Sequence, residues 1–201
     1  MKITDEIRDI LNELMTMGIG EAALTLNEMI GTHIDLNAPI VELCPLSEVR
    51  SLLAENVGDQ LSIVDMEFEG VMTGNANLIF PVESAVKLVK ILTGEDDNSP
   101  DFDSMKVGTI NEVGNIILNA VMAAFGNMLE ENIDYQVPTC SDITAAKFCG
   151  GVEAKTLDTE ILYTRVFFSA ENVSIKGSVL LMFSLGTIEN LVKIISQKYD
   201  N

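Results

Sequence analysis

Apolar side chains recur every three or four residues between Thr109 and Glu131, a spacing that predicts one long helix. The apolar positions are Ile110, Val113, Ile117, Ala120, Val121, Ala124, Met128 and Leu129. A second stripe at helical spacing consists of Gly108, Glu112, Asn115, Asn119, Met122 and Gly126. Within it, Glu112 and Asn115 project side by side, one turn apart. The stripe indicates either a solvated helix face or a ridge whose glycines let another protein's backbone approach closely.

A comparable helix is predicted over Thr4–Ile30. Thr4 can cap it, and two acidic residues follow in the first turn, beside the positive end of the helix dipole. Its expected core-facing residues are Ile7, Ile10, Leu11, Leu14, Leu24 and Ile30. Gly18 and Gly20 lie inside this helix rather than after a strand, and a third glycine is missing. We therefore interpret them as a site of close helix packing, not as a dinucleotide-binding loop.

Shorter elements fill the rest of the chain. Alternating or apolar runs predict strands at Pro39–Cys44, Gln60–Phe68, Asn75–Phe80, Val137–Cys140, Glu160–Ser169 and Ser174–Ser184. Helical spacing predicts helices at Leu46–Ala54, Ser84–Leu92 and Ile188–Lys198. Gly150 and Gly151 are expected to form a turn.

The second half of the chain repeats the first. Glu13 and Pro39 are each followed, 99 residues later, by Glu112 and Pro138. Further on the offset becomes 103, where Gly74–Leu92 aligns with Gly177–Ile195. This predicts a tandem duplication of an α-β-β-β-α unit within a single domain, residues 1–201. The first repeat would span residues 1–95 and the second 105–201, joined by an acidic linker, 96–104.

Hairpin-linked strands in such a unit favour an α+β fold with a largely antiparallel sheet. Both long helices would cover one face of this sheet and turn their polar stripes outward.

Composition excludes several classes of function. A net charge of −19 argues against general binding to nucleic acid or anionic lipid. The lone His33 excludes a histidine-based metal site and a Ser-His-Asp triad, so we expect no metal or cofactor bound by this chain. Three cysteines without C-x2-C pairing, and no signal peptide or apolar run of membrane-spanning length, favour a cytoplasmic protein.

Two motifs carry a family resemblance. Glu112-x2-Asn115-x22-Pro138, and Asp9-x3-Glu13-x2-Thr16-x22-Pro39 in the first half, resemble the twin signature of the CheC family. These are phosphatases of the chemotaxis response regulator CheY, grouped with CheX and the flagellar switch protein FliY. The segment Met17–Ala22 is also similar to the glycine-rich sequence of the family's first helix. With two repeats and no added domain, the chain is most similar to CheC.

The resemblance implies hydrolysis of the aspartyl phosphate of a CheY-like regulator, with Glu112 docking and Asn115 orienting the attacking water. Mg²⁺ would be held by the regulator. The first site, Asp9, Glu13 and Thr16, would be degenerate because Thr16 stands in place of asparagine. In the second half Gly108 stands where the family has Asp or Ser. The resemblance leaves open a non-catalytic adaptor that binds the receptor deamidase CheD, or a flagellar-switch component. We expect a monomer or a weak dimer.

Overall fold

The computed structural model describes residues 4–30, 34–37, 41–56, 58–155, 160–170, 173–183 and 187–199. The helices are α1 (Asp5–Ile30), α2 (Leu46–Asn56), α3 (Val82–Thr93), α4 (Phe102–Leu129), α5 (Ala145–Lys155) and α6 (Thr187–Tyr199). The strands are β1 (Ile34–Asn37), β2 (Val41–Pro45), β3 (Gln60–Gly70), β4 (Gly74–Pro81), β5 (Ile133–Tyr135), β6 (Thr139–Thr144), β7 (Glu160–Ala170) and β8 (Val173–Phe183).

All the described strands join one antiparallel sheet in the order β1-β7-β8-β4-β3-β5, with β2 also pairing β7 and β6 also pairing β3. The mixture of helices with an antiparallel sheet confirms the expected fold class. The short strands of each half pair with the long hairpin of the other half, and β4 pairs with β8 at the centre. The two halves are therefore joined through a continuous sheet.

The sheet separates two apolar cores. On one face, alternate residues such as Val64, Met66 and Phe68 of β3 pack beneath α1, α3, α4 and α6. The opposite face, which includes Leu61 and Ile63 of β3, packs beneath α2 and α5. This period-two alternation follows from the pleat of the strand. The two long helices thus lie on the same face of the sheet, as predicted.

Each half has the element order α-β-β-α-β-β-α, so the predicted α-β-β-β-α unit lacks one strand and one helix. The common order agrees with a duplication, which remains a prediction. One missed helix is α5, where a turn was expected at Gly150 and Gly151. The structure contradicts that turn because Phe148 and Cys149 are buried against α2 and the sheet. Burial of one face stabilises this helix despite two exposed glycines.

α4 begins at Phe102, seven residues before the predicted start at Thr109 and inside the predicted linker. Burial of the Phe102 side chain, 4% exposed, explains the earlier start. In α1, Leu24 is 60% exposed, so its predicted core position is wrong. The Ile30 side chain and Pro39 lie outside the described part of the structure.

Gly18 confirms the predicted close approach of helices. A Cβ atom placed there would lie 2.5 Å from the Cα atom of Val121 in α4. Gly20, in contrast, has nothing within 4 Å of such an atom, so it takes no part in the crossing.

Among the described helices, only α4 is long and apolar enough to cross a membrane by length and composition. The sequence-based exclusion of any such run was therefore too strict. α4 also supplies core residues, including the fully buried Ile110, Ile117 and Val121, so its apolar character is used in packing.

Candidate functional site

The predicted ridge lies on a helix that packing holds firmly. Val113 and Ile117 of α4 are buried on its core side, and a Cβ atom at Gly114 would lie 2.5 Å from the Val64 side chain in β3. Glu112 and Asn115 therefore project from a backbone that lies directly against the sheet. A rigid support of this kind fixes the position of side chains that meet a partner.

An ion pair anchors the first turns of α4 to the sheet. Lys106 is only 7% exposed, and its Nζ atom lies 2.6 Å from Oδ2 of Asp142 in β6. The other carboxylate oxygen of Asp142 accepts a hydrogen bond from the Ser62 hydroxyl in β3. Both carboxylate oxygens are thus occupied, and the segment that leads to Glu112 is tied to two strands.

Glu112 is exposed and Asn115 is half-buried. One turn before Glu112, Gly108 is exposed, and a Cβ atom there would meet nothing within 4 Å. Gly108 is therefore not required for packing within the chain, and its missing side chain leaves the surface beside Glu112 low. The N-terminal part of the predicted stripe accordingly lies at the surface.

The C-terminal part of the stripe differs from the prediction. Met122 is 1% exposed and belongs to the core. A Cβ atom at Gly126 would lie 3.2 Å from the carbonyl oxygen of Glu131, which accompanies the turn that ends α4. The exposed ridge thus does not extend to Met122. The reason is that α4 packs against α1 and α3 as well as the sheet, so it is buried on more than one side.

Asn115 has a neighbour for which the sequence suggested no role. The Nδ2 group of Asn119 donates a hydrogen bond of 2.9 Å to Oδ1 of Asn115. The i, i+4 spacing of two asparagines is visible in the sequence, but their contact depends on side-chain geometry. The ion pair between Lys106 and Asp142 could not be predicted either, because 36 residues separate the two in the sequence.

Asp9, Glu13 and Thr16 are all exposed on α1. Glu13 and Met17 line a groove of about 600 Å³ between α1 and the C-terminal half of α4. Its other lining residues are Ile10, Leu14, Glu21, Ala120, Ala123, Ala124, Asn127 and Met128.

The structure does not bring the two motifs together. The N-terminal half of α1, which carries Glu13, lies beside the C-terminal half of α4, whereas Glu112 and Asn115 occupy its N-terminal half. The two motifs therefore lie on separate parts of the surface and do not form one composite site.

Two cysteines have perturbed thiols. Burial, with smaller effects of Glu48 and Glu42, raises the pKa of Cys44 to about 11. Burial also raises the pKa of Cys140 to about 11, assisted by the negative charge of Asp142 and opposed by Lys106. A thiol that stays protonated is a poor nucleophile at neutral pH, so neither residue suits covalent catalysis.

Among the described residues, no three His, Cys, Asp or Glu side chains are arranged to hold a metal ion. The candidate site on α4 consists of a carboxylate, which can pair with a cation, and an amide, which can donate and accept hydrogen bonds.

Comparison with curated proteins finds a relative along almost the whole chain. The CheY-P phosphatase CheC of Bacillus subtilis (strain 168) is 22% identical over 200 residues, covering 94% of this chain and 93% of the relative. No protein-family model matches the chain.

Solved structures share the fold. Thermotoga maritima FliY has a TM-score of 0.75 at 16% identity, covering 98% of this chain and 100% of that one. CheX in the CheX-CheY-BeF3-Mg²⁺ complex of Borrelia burgdorferi has a TM-score of 0.50 at 18% identity, covering 83% of this chain and 96% of that one. By whole-length similarity and by fold, the chain is similar to the CheC, CheX and FliY group of chemotaxis proteins.

Proposed function

We propose that this chain is a hydrolase that removes the aspartyl phosphate of a CheY-like response regulator. The observation that carries the proposal is the position of Glu112 and Asn115, adjacent at the surface of a helix packed on the sheet, in a chain similar to a CheY-P phosphatase. Neither residue lines the groove between α1 and α4. The site is a ridge, and a pocket on the regulator completes it.

Asn115 orients the attacking water. An amide has no pKa near neutrality and cannot act as a general base, but its Oδ1 accepts and its Nδ2 donates hydrogen bonds. Those two groups can hold a water molecule in line with the bond between phosphorus and the aspartyl oxygen. An acyl phosphate is reactive in itself, so placing the nucleophile is the main contribution that the phosphatase must add.

Glu112 docks the regulator. Its exposed carboxylate lies one turn from Asn115 and beside the open surface at Gly108, within reach of an approaching cation. Pairing with a lysine of the regulator would fix the register in which Asn115 enters the phosphorylated site. Mg²⁺ would arrive on the regulator, where it neutralises charge on the phosphoryl oxygens.

The first half supports a weaker site. Asp9 and Glu13 are exposed on α1 as Gly108 and Glu112 are on α4, but Thr16 carries a single hydroxyl on a short side chain. Thr16 cannot reproduce the paired donor and acceptor of an amide, so Glu112 and Asn115 carry the activity.

A second candidate is a flagellar-switch component or an adaptor for CheD. The similarity of this fold to FliY, with a TM-score of 0.75, favours the flagellar-switch component. Such a protein would bind its partner through the same surfaces without hydrolysis. Measurement of hydrolysis therefore separates the two candidates.

The experiment uses the full chain and a CheY-like regulator phosphorylated with acetyl phosphate in Mg²⁺. After removal of the phosphodonor, phosphate release is followed with and without catalytic amounts of the chain. We expect the unmodified chain to accelerate phosphate release. The Glu112→Ala and Asn115→Ala variants should not accelerate it. Binding of the regulator without any acceleration would refute the phosphatase and favour the adaptor.

A further inference from the structure

The side chain of Asn119 is oriented toward the candidate site. Its Nδ2 group donates to Oδ1 of Asn115 over 2.9 Å, across one helical turn. This bond restricts rotation of the Asn115 amide and takes one lone pair of its oxygen. The second lone pair and both Nδ2 hydrogens of Asn115 stay available to a water molecule and a partner.

The amide of Asn119 contributes little to the stability of the fold. Its Oδ1 is buried and has no hydrogen-bond partner among the described residues. A buried carbonyl without a partner destabilises a protein, whereas an apolar side chain of similar size in the same place would not. The chain keeps a destabilising polar group whose observed hydrogen bond goes to Asn115, a pattern expected of residues retained for function.

The first half lacks the equivalent amide. At the offset of 99 that relates Glu13 to Glu112, Asn115 corresponds to Thr16 and Asn119 to Gly20. The weaker site is thus without both the amide and the group that would hold it. A Cβ atom at Gly20 would meet nothing within 4 Å, so a side chain can be introduced there.

We propose that Asn119 is a positioning residue, which sets the orientation of the Asn115 amide for attack, and that Gly20 is one reason why the first site is the weaker one. This inference rests on the proposed phosphatase function. The inference predicts that Asn119 affects the chemical step and not docking of the regulator. Its side chain bonds to Asn115 and lies two helical turns along α4 from Glu112.

The first test replaces Asn119 with leucine, which has a similar size and cannot donate. The Asn119→Leu protein should lose about 10-fold in kcat, with KM unchanged within twofold and thermal stability equal or higher. A structural role would instead lower the Tm. The control is Asn127→Ala, which alters an exposed asparagine two turns further along α4 and should leave kcat unchanged.

The second test restores the first site in a chain silenced by Asn115→Ala. Thr16→Asn alone should recover little activity, and Thr16→Asn with Gly20→Asn should recover at least fivefold more. Thr16→Asn with Gly20→Ala controls for the loss of a helical glycine and should match Thr16→Asn alone.

The outcomes separate the two proposals. If the unmodified chain accelerates dephosphorylation and Asn119→Leu keeps full kcat, the role of Asn119 is wrong and the phosphatase stands. The same conclusion holds if the Gly20→Asn and Gly20→Ala pairs recover equal activity. If the unmodified chain binds the regulator without accelerating phosphate loss, the phosphatase function fails and the role of Asn119 fails with it.

Discussion

Gly18→Ala should destabilise the fold, whereas the matched change Gly20→Ala should stabilise it. The new Cβ atom at Gly18 would lie 2.5 Å from Cα of Val121 and 3.0 Å from the carbonyl oxygen of Ala120. Both are backbone atoms of α4, and they cannot rotate aside as a flexible side chain can. At Gly20 the added atom meets nothing within 4 Å.

The difference between the two variants isolates the crossing of α1 and α4. Replacing a glycine inside a helix by alanine stabilises by roughly 0.5–1 kcal/mol, and this contribution is common to both variants. Overpacking at Gly18 costs about 1–3 kcal/mol. The free energies of unfolding should therefore differ by about 1–3 kcal/mol. For a chain of this size, roughly 2–4 °C per kcal/mol gives a difference of about 2–12 °C in Tm.

Thermal and urea unfolding, followed by far-ultraviolet circular dichroism, measure this difference on the full chain. The m-value should be the same in both variants, which would show that only stability changed. Equal Tm shifts for Gly18→Ala and Gly20→Ala would refute the close crossing of the two helices.

Three further predictions concern the two motifs and the thiols. Glu112→Ala should raise KM roughly 5- to 30-fold, because it removes about 1–2 kcal/mol of docking energy, and should lower kcat, because the register of Asn115 is no longer fixed; steady-state kinetics with the regulator check this. Glu13→Ala should change the dephosphorylation rate less than twofold, and loss of activity would place the working site on α1. Burial raises the pKa of Cys44 and Cys140 from 9.0 to about 11. Unfolded thiols ionise first, so the stability that they contribute is complete below pH 9 and is lost between pH 9 and 11. The Tm should fall over that range, less steeply in Cys44→Ala.

Most of the architecture follows from periodicity alone. A long run with a clear period predicted α1 almost to the residue, and alternating or apolar runs predicted β3 and β4. The short strands β1 and β5 carry no such signal, because three or four residues pair only when the long hairpin of the other half is present. Pairing between halves of the chain is a tertiary effect that local sequence does not encode.

The candidate ridge was predictable only in part. Spacing placed Glu112 and Asn115 together on α4, and the structure puts one at the surface and the other half-buried. Sequence spacing could not show that Met122 is buried, because a helix with neighbours on several sides has more than one buried stripe. Nor could it show that Asn119 donates to Asn115 rather than to solvent, since that depends on the orientation of both amides.

The most direct test of the account is the single-turnover rate of dephosphorylation by Asn115→Ala, at saturating concentrations of the variant over the phosphorylated regulator. Removing the group that positions the water should lower this rate constant about 10²-fold, equivalent to roughly 2.7 kcal/mol, while the fold and binding of the regulator are retained. The control variant Asn127→Ala should react at the unmodified rate. A rate constant for Asn115→Ala equal to that of the unmodified chain would contradict the assignment of Asn115 as the residue that orients the attacking water.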